Sequence, residues 1–168
     1  MKVLFLDIDG VLNPKYWLSR MTKDTPHDKF GFAFSPDSVA NLAEIIDKTG
    51  AKIVISSSWK CMGLTKLQQM WKRRKLPGEV IDVTPDYMSD DLLLNEDMAD
   101  LNYLYRRGCE IKGWMTQHGK DVSHYAIIDD MDDILPEQQD HFIWIDPHDG
   151  ITSFNAKQVI ATLNMEQN

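Results

Sequence analysis

A chain of 168 residues has the length for one domain with a single full core. An apolar share of 43% and a charged share of 26% are those of an ordinary globular protein and exclude disordered or fibrous classes. The net charge of −8 disfavours general nucleic-acid affinity, because such binding is mostly neutralisation of phosphates by Lys and Arg.

No apolar run reaches membrane-spanning length, and the start, Met1 to Asp7, places too few apolar residues before an acid to be expected as a signal peptide. Cys61 and Cys109 lie far apart, without the spacing of a zinc site or a disulfide framework, so both are expected to be reduced thiols in a cytoplasmic protein. Charge is unevenly spread. Lys60 to Lys75 holds six basic residues and no acid, whereas Leu76 to Tyr105 holds eight acids and no Lys or Arg.

In chain order, Val3 to Leu6 is an apolar run of strand length that ends in Asp7-Ile8-Asp9-Gly10. Residues 13 to 34 show no clean period and are expected to form a small irregular flap, with aromatics that pack locally. Ser35-Pro36 is an N-cap followed by proline at the first helical position, and Val39, Leu42, Ala43 and Ile46 recur at helical spacing up to Gly50. Lys52 to Ile55 is a second strand, closed by Ser56-Ser57-Ser58. Leu64, Leu67 and Trp71 mark a helix that finishes in Lys72-Arg73-Arg74-Lys75, a run that suits a helix C-terminus or a substrate-binding patch.

Val80 to Val83 is a third strand, and residues 84 to 105 form an acidic excursion. A helix is expected over Glu110 to His118, and a fourth strand over Tyr125 to Ile128, ending in Asp129-Asp130. A fifth strand follows over Phe142 to Ile145, then a last helix from about Ser153 to Leu163 with Phe154, Val159, Ile160 and Leu163 as its apolar set. Apolar strands alternating with helices predict a doubly wound, five-stranded parallel sheet of Rossmann-like α/β class, with helices on both faces. The whole of 1–168 reads as one domain, its excursions at about 13–34 and 84–105 being too short for more than a minimal cap.

Two acids one residue apart, just past a strand end, can aim both carboxylates into the crevice where open α/β sheets bind ligands. Held that close they repel unless a cation lies between them. A lone Asp-x-Asp is equally a helix cap or a solvated turn, so the weight comes from the polar groups that end the other strands.

At this point the sequence resembles the haloacid-dehalogenase (HAD) superfamily of phosphatases and phosphotransferases, whose first motif, hydrophobic strand then Asp-x-Asp-Gly, is matched by Asp7-Ile8-Asp9-Gly10-Val11-Leu12. The resemblance implies Asp7 as nucleophile and Asp9 as the acid and base for leaving group and water. It implies Ser56 or Ser57 as the hydroxyl holding phosphoryl oxygens, and Arg107 as the fixed cation, with Arg106 and Lys112 as competitors. Asp129 and Asp130, with Asp7 and the backbone carbonyl of Asp9, would hold Mg²⁺. Asp132 and Asp133 are either supporting groups or surface charge.

Ser57-Ser58-Trp59-Lys60 and Arg107-Gly108-x-Glu110-Ile111-x-x-Trp114 are similar to a compact branch that includes HAD domains of nucleic-acid repair proteins, and to polynucleotide kinase phosphatase domains. The expected activity is therefore a Mg²⁺-dependent phosphomonoesterase acting on a nucleotide or a polynucleotide-end phosphate. The alternatives are a phosphatase of another small metabolite and a non-catalytic module of the same fold. The sequence leaves the oligomeric state open.

Overall fold

The computed structural model describes residues 1–87 and 105–165. β1 (Lys2–Leu6) is its central strand, with Val3 to Leu6 fully buried. The chain then forms a flap from a short helix, α1 (Lys15–Leu18), and a two-stranded hairpin, β2 (His27–Asp28) and β3 (Gly31–Phe32). Helix α2 (Pro36–Thr49) begins where the Ser35 hydroxyl accepts from the Ser38 amide and ends at Gly50 in the left-handed conformation. Both caps are those expected from Ser35-Pro36 and Gly50.

β4 (Lys52–Ile55) leads through a 3₁₀ segment, Ser58–Met62, into α3 (Leu64–Arg74), and β5 (Val80–Val83) follows. After residues 88–104, which lie outside the described part and include most of the acidic excursion, come α4 (Arg106–His118) and β6 (His124–Asp129). β7 (Phe142–Trp144) and α5 (Ser153–Asn164) close the chain. Among the described residues no helix is long and apolar enough to cross a membrane.

The five-stranded sheet has the order β5-β4-β1-β6-β7, and every neighbouring pair is parallel. The chain winds outward from β1 on one side and then on the other, so the order reverses at β1. Carboxyl ends of strands at such a reversal are where open α/β sheets form ligand crevices.

Side chains alternate across the sheet. Leu4, Leu6, Ile53, Ile55 and Ile128 pack under α2, α3 and α5, against Leu42, Ile45, Leu67, Met70, Val159 and Leu163. Val3, Phe5, Val54 and Ile127 pack on the other face against Ile111 and Trp114 of α4. Phe5 meets Trp114 edge to face at 5.4 Å. Each fully buried aliphatic side chain contributes on the order of 1.5–3 kcal/mol of transfer energy, so an unbroken apolar β1 is what a strand covered on both faces requires.

Two expectations shift. α4 starts at Arg106 rather than Glu110. Phe154, assigned to the apolar face of the last helix, is 68% exposed, while Ala156, Val159 and Leu163 face the core.

Candidate active site

The strand alternation that packs the core also builds the site. Val3 and Phe5 face α4, and the next position of the same parity is Asp7. The ladder continues one step beyond the strands: the Asp7 amide donates to the Ile128 carbonyl at 3.1 Å, and the Ser56 amide donates to the Leu6 carbonyl at 2.9 Å. Asp7 therefore stands level with Ser56 on one side and Asp129 on the other, all three on the α4 face.

Helix α4 answers these groups with Arg107. Its Nη2 lies 3.5 Å from Asp7 Oδ1, and its Nε lies 2.9 Å from Asp129 Oδ2. The other basic candidates are engaged elsewhere: Arg106 pairs with Glu110 and Asp86, and Lys112 pairs with Glu137 in solvent. Asp133 fixes the start of α4, with its carboxylate accepting from the Arg107 amide at 3.2 Å and its carbonyl from the Gly108 amide at 3.0 Å. Asp132 is exposed.

Asp7, Asp129 and Asp130 each offer an oxygen within 4.8 Å of the others. Burial pushes the Asp7 carboxyl up to about 6, against the opposing pull of the Arg107 guanidinium and the Ser57 hydroxyl. Burial also raises Asp129 well above the usual carboxylate range, and raises Asp130 less far. One guanidinium is thus too little positive charge for three acids. A hard dication with oxygen ligands fits this donor set, since Mg²⁺ takes carboxylate oxygens and water.

The Asp9 carboxylate lies apart from that cluster. It is exposed, and its Oδ2 accepts from Trp59 Nε1 at 2.8 Å, while Asn13 Nδ2 reaches Oδ1 at 3.5 Å. Its share in holding a cation would come through the backbone carbonyl, as the resemblance implies.

Both serines are buried. The Ser57 hydroxyl bonds the Asp7 carboxylate and accepts from the Trp59 amide, whereas Ser56 Oγ has no hydrogen-bond partner. Thr84, the residue after β5, donates its amide to the Ile55 carbonyl at 3.0 Å and so stands beside Ser56, and its buried Oγ1 also has no hydrogen-bond partner.

Sequence reasoning missed Thr84, the Trp59 contact with Asp9, and a buried ion pair beneath the site. Lys60 Nζ lies 2.6 Å from Glu110 Oε2 and donates to the Pro85 carbonyl at 2.9 Å. Glu110 also lies 3.9 Å from Arg107 Nη1. Its place three residues after Arg107, on the same helix face, was the available signal.

No residue of the basic run 72–75 pairs with the acids of the site. Because β4 and β5 are parallel, α3 carries the chain back along the sheet, so the backbone of residues 72–75 runs toward the start of β4. The hydrogen bond from the Ile53 amide to the Glu79 carbonyl, at the start of β4, fixes that end. There Arg74 is a clamp on the flap: it pairs with Asp28 at 2.8 Å, donates to the Gly31 carbonyl and lies 4.8 Å over the Phe34 ring. Of the two readings of the run, helix end and substrate patch, this placement favours the first.

A parallel sheet with an Asp-x-Asp turn on its central strand, serines after the neighbour on one side and an acid pair after the neighbour on the other defines a Rossmann-like α/β domain of HAD type. Residues 3–156 match the family described as the HAD domain in Swiss Army Knife RNA repair proteins, and the chain belongs to that family. Membership supports a phosphatase or related hydrolase, and HAD domains generally use Mg²⁺. A comparison with curated proteins finds no match.

Proposed function

We propose that the protein is a Mg²⁺-dependent phosphomonoesterase that works through an aspartyl-phosphate on Asp7, with a nucleotide or a polynucleotide-end phosphate as substrate. The observation that carries this reading is the setting of Asp7. It is a buried carboxylate at the end of the central strand, 3.5 Å from Arg107 and clustered with Asp129 and Asp130. The family's occurrence in RNA repair proteins supports the choice of substrate.

The roles follow from what each group can do. An Asp7 oxygen attacks phosphorus, forming a P–O bond as the ester P–O bond breaks. Asp9, exposed beside the crevice mouth, gives its proton to the departing oxygen. It then takes a proton from the water that attacks the aspartyl-phosphate, which releases inorganic phosphate and restores Asp7. Arg107 and the Ser56 and Ser57 hydroxyls hold the equatorial oxygens, and positioning of this kind is most of the work in phosphoryl transfer. Asp7, Asp129 and Asp130 would hold Mg²⁺, which when bound offsets the negative charge shared by these acids and the phosphate.

The test is phosphate release from 3′- and 5′-phosphorylated oligonucleotides, mononucleotides and p-nitrophenyl phosphate, with and without EDTA. Asp7→Asn is expected to keep the fold and lower turnover roughly a thousandfold or more. Retained activity in that variant overturns the assignment.

A further inference from the structure

The wall of the crevice beside Asp9 is aromatic. Trp59, whose Nε1 bonds Asp9, also lines an open cleft of about 360 Å³ together with Phe30, Ser58, Cys61 and Met62. No charged residue is among these five, although Lys29 Nζ lies 4.9 Å over the Phe30 ring. The size of the cleft falls within the range of small-molecule sites. The Phe34 ring meets Trp59 edge to face at 5.7 Å, and Trp59 packs against the main core, so this wall is fixed.

We propose that this cleft is the leaving-group subsite and that it takes the nucleobase of a nucleotide, an inference that rests on the phosphatase reading above. A general acid must lie within about 2.6–3.2 Å of the oxygen it protonates. Trp59 Nε1 is 2.8 Å from one Asp9 oxygen, so a leaving oxygen protonated by the other is held within a few ångströms of the indole edge. What the cleft offers there is two aromatic rings and a thioether, which suits a flat ring that binds by stacking.

Among the substrates of the reading above, a nucleotide carries such a ring, its base, one ribose away from the leaving oxygen. Ribose 5-phosphate carries none, and a phenyl ester carries its ring on the leaving oxygen itself.

Trp59 also acts on Asp9 itself. An indole N–H only donates, so Asp9 Oδ2 is the acceptor in that hydrogen bond, and the proton that Asp9 delivers sits on Oδ1. Trp59 is thus at once the stacking wall and the positioning residue for the acid. The two roles separate by mutation, because Trp59→Phe keeps an aromatic face without the N–H and Trp59→Leu removes both.

The experiment compares kcat/KM for adenosine 3′- and 5′-monophosphate, ribose 5-phosphate and phenyl phosphate in the wild type, Trp59→Phe and Trp59→Leu. The wild type is expected to prefer a nucleotide over ribose 5-phosphate by roughly tenfold or more, the range of a single base–aromatic stack. Trp59→Phe keeps most of that ratio while kcat falls on every substrate, and Trp59→Leu brings the ratio to about one. An unchanged ratio in Trp59→Leu overturns the subsite, and a Trp59-dependent preference for phenyl phosphate that equals or exceeds that for the nucleotides overturns the nucleobase.

Circular dichroism checks that Trp59→Leu is folded. If it is not, Phe30→Leu at the cleft's other wall is expected to lower the same ratio, and no change there counts against the proposal. Absence of turnover on every substrate refutes the phosphatase reading rather than the subsite. Calorimetric titration with adenosine 3′-monophosphate then decides: binding roughly tenfold tighter than ribose 5-phosphate, lost in the Trp59 or Phe30 variant, supports the cleft, and equal binding overturns it.

Discussion

Gly10 and Asp130 meet at the mouth of the crevice with no room for another carbon between them. A Cβ at position 10 would stand 2.6 Å from Asp130 Cγ, and Gly10 holds φ +75°, a conformation that L side chains rarely adopt. The glycine after the first acidic pair thus does two things: it turns the chain and it makes space for the distant acid.

Gly10→Ala is therefore expected to destabilise the fold by about 1 kcal/mol or more from backbone strain alone. It should also displace the Asp130 carboxylate from Asp7 and Asp129. Urea melts with and without Mg²⁺ separate the two effects. If Mg²⁺ stabilises Gly10→Ala as much as the wild type, Asp130 does not owe its position to this contact.

The same acids predict how cation binding depends on pH. Asp7 titrates near 6 in the folded protein against 3.8 for an ordinary aspartate, chiefly through burial, and Asp129 is also raised. A raised carboxyl means that the folded state binds more protons than the unfolded one between pH 4 and 6. Stability of the metal-free protein therefore falls as pH rises through that window, and the raised Asp129 carboxyl adds a loss of the same sign. Cation binding needs them ionised, so Mg²⁺ should stabilise strongly at pH 7.5 and little at pH 5. At a hundredfold excess over Kd the gain is about 2.7 kcal/mol, or roughly 5–10 °C for a chain of this size. Equal shifts of melting temperature at the two pH values contradict this account.

What the sequence shows of this site is what strand periodicity and local caps can carry. Asp7, Ser56 and Asp129 each follow an apolar run, and alternation alone puts them on one face once the strands are in register. The start of α4 was not legible because no side chain of its own caps it. Asp133, far along the chain, accepts from the Arg107 and Gly108 amides instead. Phe154 was misplaced for an angular reason: at 100° per residue it lies about 140° around the helix from Val159, whereas Ala156, Val159 and Leu163 share one stripe. Lys60 read as one of six basic residues in a run without acids, because its partner Glu110 is supplied by a different helix.

That buried pair yields a stability prediction. Lys60 and Glu110 side chains are 5% and 0% exposed, and burial draws the Lys60 ammonium below its usual range while Glu110 opposes the shift. Glu110→Leu strands the buried Lys60 ammonium and should cost about 3–5 kcal/mol, whereas Lys60→Met leaves Glu110 with Arg106 and Arg107 and should cost less. The double variant should recover part of the Glu110→Leu loss, because it removes the stranded ammonium. Denaturant unfolding of the two single variants and the double variant measures the coupling directly, and additive losses in the double variant contradict a coupled pair.

The flap gives the last prediction, at the acid end of the scale. The Arg74 guanidinium bonds both Asp28 oxygens, at 2.8 and 3.2 Å, and holds its carboxyl down at about 2. A depressed carboxyl contributes stability that is present above its unfolded value of 3.8 and is lost as pH falls through about 2. With screening by solvent allowed for, the contribution is roughly 1 kcal/mol, so protonation opens the flap locally and leaves the sheet intact. The amides of Phe30, which donates to Asp28, and of Ala33, which closes the flap onto Pro26, report the event. Hydrogen exchange at these two positions should quicken, relative to the core strands, as pH drops from 4 towards 2. In Asp28→Asn it should already be fast at pH 5 and gain nothing further on acidification, and an acid-dependent flap in that variant would place the switch on some other group.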